Sequence, residues 1–125
     1  MNNSEIDDFE VIQGQLQAFH DEMNTLSKKS PNESLNKFKL NLVNAVLSRA
    51  NIFLTKKRLP FTDFSLFDVA TLPSNSDVLV IIAQYLSAFE KVRVDNIEFI
   101  FGYWHWKSLS DKGQRRKTYP PKNLK

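Results

Sequence analysis

The sequence predicts an all-α fold, a small bundle of three main helices with a Phe-rich connecting loop and a basic, extended C-terminal tail. Three observations predict it. Apolar residues recur at helical spacing in three separate segments. Only 3 Gly and 5 Pro occur in 125 residues, too few for the closely spaced turns of a β-rich fold. The hydrophobic fraction of 42% is that of a chain that buries a core, and a chain of this length forms one core rather than two.

The first helix is expected over residues 4–29. Phe9, Ile12, Leu16, Phe19, Met23 and Leu26 follow a 3-4-3-4-3 rhythm that keeps one stripe on one side. Acids stand in its first turn and Lys28 and Lys29 in its last, as the helix dipole favours. The stripe is too short to argue for a coiled coil, so packing within a bundle is expected.

Ser30-Pro31-Asn32-Glu33 reads as a helix start, with Ser30 as cap, Pro31 at the first position and Glu33 answering the cap amide. The second helix is therefore expected over 31–54, antiparallel to the first. Leu35, Phe38, Leu42, Val46, Ala50 and Phe53 form its stripe, widened by Leu40, Val43, Leu47 and Leu54. A band that broad suits a helix lying between two neighbours. Pro60 marks a boundary in the connection over 55–73, where Phe61, Phe64 and Phe67 recur at the spacing of a single helical turn. Three phenylalanines are costly to leave in water, and they are expected to plug the bundle's end.

Ser74 opens a third helix, with Asp77 three residues on to complete the cap. Val78, Ile82, Tyr85, Phe89 and Val92 carry its stripe over 75–95. Beyond residue 95 two readings compete. The helix continues through Asn96, Phe99 and Tyr103, which is preferred, or residues 97–106 are extended, as their β-branched and aromatic content suits. An extended segment finds no partner among these elements, so it implies pairing between chains.

Charge divides the chain. Residues 1–30 hold six acids against two lysines, whereas residues 107–125 hold seven Lys and Arg against Asp111 alone. The net charge of +3 thus belongs to the tail, and a basic face over the whole domain is not implied. The expected division is a helical domain over 1–107 and a flexible basic tail over 108–125. The acidic N-terminus is unlike a secretory signal, and the run from Val78 to Ala83 is too short to span a bilayer, so a cytoplasmic, soluble protein is expected.

The inventory for chemistry is thin. The absence of cysteine excludes disulfides, thiolate nucleophiles and thiolate metal sites. No Gly-rich phosphate loop, nucleophile elbow or histidine pair at metal-binding spacing occurs. His20 and His105 stand alone, and Asp77, Glu90, Asp95 and Glu98 form no convergent pair, so neither catalytic residues, metal nor cofactor is expected. Arg93, Asp95 and Asn96 interrupt an apolar stretch, either fixing register with a partner or closing a helix end.

The functional expectation is a small non-enzymatic interaction protein, an adaptor, inhibitor or antitoxin-like module that binds a protein partner or itself. Phe99, Phe101, Tyr103, Trp104 and Trp106 are its candidate contact residues. The alternative is a nucleic-acid-binding protein, with Arg115, Arg116 and Lys117 on phosphates and Tyr119 stacking on bases.

Overall fold

The computed structural model describes residues 1–55, 58–107 and 116–122. Three helices, α1 (Asn3–Lys29), α2 (Lys37–Leu54) and α3 (Asn75–Asp95), are followed by strands β1 (Ile97–Ile100) and β2 (Tyr103–Trp106). The small helical bundle stands as expected, with an antiparallel hairpin added at its C-terminal end.

In α1 the stripe holds. Phe9, Ile12, Leu16 and Met23 are buried, and Phe19 and Leu26 pack at its margin. Asn2 caps the helix through the Glu5 amide, and the Glu5 carboxylate accepts from the Asn2 amide in return. Backbones approach most closely between α1 and α3, then between α1 and α2. It is therefore the backbone of α1 that comes near both other helices. Helices α2 and α3 meet through side chains, with Phe53 stacked on Phe89 at 5.3 Å and the Tyr85 hydroxyl donating to Asn51.

The start of α2 differs from expectation. Ser30 closes α1 instead of opening α2, its amide donating to the Leu26 carbonyl. Residues 31–35 are held away from helical geometry by backbone bonds to residues 73–76, where α3 begins. Leu35 N donates to Pro73 O, while Asn75 N and Ser76 N donate to Glu33 O and Pro31 O. These pairings satisfy amides that the first turn of α3 leaves orphaned, and they outweigh the local cap. Asn36 caps α2 instead, accepting from the Lys39 amide. The buried face is centred on Leu40, Val43, Leu47 and Leu54, and Phe38 is left 73% exposed.

Phe61, Phe64 and Phe67 are packed against the core without forming a helical turn. Their rings run edge to face, and Phe61 reaches Tyr85 at 6.5 Å. Two asparagines of α2 pin this connection. Asn44 exchanges both hydrogen bonds with the Phe67 backbone, and Asn51 donates to Ser65 O. Ser74 caps α3 as read from the sequence.

Tyr85 is buried, and desolvation raises its pKa above 10.0 against the opposing pull of Asn51. An acid whose folded pKa is raised keeps its proton where the unfolded chain has lost it. Its contribution is present below pH 10 and is lost as pH rises through the folded value. Urea denaturation from pH 8 upward is therefore expected to show falling stability above pH 10. In Tyr85→Phe that alkaline loss shrinks, at the cost of about 1 kcal/mol at neutral pH for the missing hydrogen bond.

Candidate interaction surface

Helix α3 ends at Asn96, whose amide donates to Arg93 O and whose side chain donates to Val92 O. Of the two readings for Arg93, Asp95 and Asn96, the helix end is what Asn96 performs. The chain then turns back on itself. Ile97 faces Trp106, Glu98 faces His105, Phe99 faces Trp104 and Ile100 faces Tyr103. The preferred continuation of the helix through 97–106 is thus corrected, as is the expectation that a strand there would need another chain. The partner strand begins three residues after Ile100, across the two-residue turn Phe101-Gly102. Both turn residues have positive φ, 53° and 81°, the signature of the turn whose twist suits a hairpin.

The hairpin is anchored at its base and bare at its tip. Trp106 is only 2% exposed and meets the Phe9 ring edge-on at 5.1 Å, beside the buried Ile97. One pair outward, Phe99 and the half-buried Trp104 lie 5.4 Å apart, with Phe99 exposed. Phe101 stands at the turn, 89% exposed. Tyr103 is exposed on the opposite face, where the Lys117 ammonium sits 4.0 Å above its ring. Of the five aromatics expected to contact a partner, Phe99, Phe101 and Tyr103 are presented, Trp104 partly so, and Trp106 belongs to the core. Among the described residues, the buried side-chain polar atoms without a hydrogen-bond partner are His105 Nδ1 and Trp106 Nε1, both on β2.

The described part of the tail, residues 116–122, is extended and lies against β2, α1 and α3. Trp106 N donates to Arg116 O and Thr118 N to Trp104 O, so the tail pairs along the second edge of β2. Arg116 reaches Asp7 at 2.9 Å and Glu10 at 3.5 Å on α1. At the far end lies a buried ion pair, Glu90 and Arg93, a turn apart on α3. Arg93 also donates to the carbonyls of Tyr119 and Pro120, and Glu90 accepts from the Lys122 amide.

For nucleic-acid contacts the placement is mixed. Arg116 is engaged by two carboxylates, Lys117 by an aromatic ring, and Tyr119 projects into solvent at 76% exposure. Arg115 lies outside the described residues. The Glu90–Arg93 pair was not anticipated as a site. Its sequence signal was an acid and a base at i,i+3 next to a helix end. Among the described residues, no three His, Asp or Glu side chains gather to hold a metal ion, and no helix is long and apolar enough to cross a membrane. No family model, curated protein or solved structure matches the chain, so the chemistry of this surface is argued from its own geometry.

Proposed function

We propose that this chain is a non-enzymatic interaction module that binds a protein partner through the tip of its aromatic hairpin. Phe101 carries the reading. A bulky aromatic side chain in the left-handed region is strained, since that region suits Gly and Asn. The same side chain is almost fully in water, so burial offsets nothing. Two unfavourable features at one residue are what a contact residue shows when its energy is recovered in a complex.

The outer side of β1, which no strand among the described residues pairs, adds to it. Glu98 and Ile100 are the residues whose backbone groups face β2, so those of Phe99 point to the outer edge. An extended segment of a partner protein can pair there while Phe99 and Phe101 supply apolar contact, the mode of strand addition. The nucleic-acid alternative has less behind it, because Arg116 and Lys117 already hold intramolecular partners.

Replacement of the strained residue tests the proposal without knowledge of the partner. Phe101→Asn is expected to raise stability by about 0.5–1 kcal/mol in urea denaturation, because Asn accepts this backbone and no packing is lost. A loss of stability would mean that the ring serves the fold, and the reading would fall.

A further inference from the structure

The contacts that hold residues 116–122 are mostly to backbone. Arg93 grips two successive carbonyls, at Tyr119 and Pro120, at 2.7 and 3.2 Å. Glu90 takes the Lys122 amide at 2.9 Å, and β2 supplies two ladder bonds. The Tyr119 side chain contributes little, being turned to solvent. A receptor that reads main-chain groups accepts many sequences. What selects among them is the acidic pair Asp7 and Glu10, which demands a cation at the position of Arg116. The proline at 120 fits too, because an X-Pro step offers carbonyls to the guanidinium and no amide at proline that needs a partner.

The tail does not fill its groove. A cleft of about 680 Å³ remains alongside it, lined by Gln13, Gly14 and Gln17 of α1, by Trp106 and by Tyr119. A methyl group built on Gly14 would meet nothing within 4 Å. Room for larger side chains thus lies beside a backbone receptor that is already charged and oriented.

We infer that this groove is a peptide-binding site, occupied in cis by the chain's own tail, whose ligand in trans is an extended basic peptide carrying an arginine four residues before an X-Pro carbonyl. The tail acts as an internal competitor. A partner segment of the same chemistry gains entry by filling the cleft that the tail leaves open, or when the tail is loosened. This site is separate from the hairpin tip and stands or falls apart from it.

The test uses the full chain and a fluorescein-labelled synthetic peptide with the sequence of residues 116–122, titrated by fluorescence anisotropy. In wild-type protein the tail competes. In Arg116→Glu the tail is repelled by Asp7 and Glu10 while the groove is untouched, and the peptide is expected to bind at least ten-fold more tightly than to wild type. The peptide bearing the same Arg116→Glu change is expected to bind the loosened protein at least ten-fold more weakly, a comparison in which the protein is the same in both arms. Phe101→Asn should leave peptide affinity unchanged. Equal binding of the peptide to wild type and Arg116→Glu, or equal binding of the two peptides, would overturn the inference.

Discussion

Trp106→Ala is expected to destabilise the protein by about 3–5 kcal/mol, the cost of emptying a large aromatic site in a closely packed core. The position joins three parts of the fold. Its ring packs on Phe9 of α1, its cross-strand neighbour Ile97 begins β1 as α3 ends, and its backbone amide holds the tail at Arg116. Net stability of a small domain is commonly ~5–15 kcal/mol, so the substitution removes a large share of it. Phe99→Ala, one pair further out and exposed, is expected to change stability by no more than about 0.5 kcal/mol. Urea denaturation of the two variants checks the contrast. Similar losses in both would mean that the hairpin is not divided into an anchored base and a bare tip.

Arg93→Met is expected to cost a comparable amount, about 3–5 kcal/mol, because Glu90 is left buried and charged without its counterion. The loss differs in kind from that at Trp106. Pairing Arg93→Met with Glu90→Leu removes the orphaned charge, and replacement of a buried ion pair by apolar residues is often close to neutral. Most of the stability is therefore expected to return in the double variant. The docking of the tail is not, since the carbonyls of Tyr119 and Pro120 and the amide of Lys122 have lost their partners. Limited trypsin digestion separates the two effects. Cleavage after Lys117 should be fast in the double variant and slow in the wild type. Slow cleavage in both would show that the ion pair does not hold the tail.

The legible parts of this fold are those governed by local rules. The stripes of α1 and α3 and the cap at Ser74 follow from residue spacing and from hydrogen bonds spanning a few residues. The start of α2 was hidden because Ser30-Pro31-Asn32-Glu33 is a sound cap in isolation. Its carbonyls are claimed by the amides of Asn75 and Ser76, some forty residues away. No periodicity carries that information.

The hairpin was obscured by its turn. Asn-Gly or Asp-Gly between two β-rich runs is a strong short-range signal, and here Phe101 occupies the place of the polar residue. The remaining clue is Gly102 within a ten-residue aromatic and β-branched segment, where four-residue runs flank Phe101-Gly102. What made the segment hard to read is also what singles out Phe101. Composition singles out the aromatic candidates, and only their pairing shows which of them face outward. The tail's basic charge was plain, but its intramolecular partners, Asp7, Glu10, Glu90 and the ring of Tyr103, required the fold.

The central claim is that the hairpin tip, rather than another exposed apolar residue, meets the partner. Site-specific photocrosslinking in the native cell tests it most directly, with a photoreactive phenylalanine placed at position 101 and, as a matched site, at position 38. Both positions are exposed phenylalanines, but only Phe101 sits on strained backbone at a sheet tip. The expected result is a discrete crosslinked species from position 101, absent from position 38, and lost when Phe99→Ser weakens the neighbouring contact. Crosslinking from position 38 with none from position 101 would place the interface on the outer face of α2 and contradict the account.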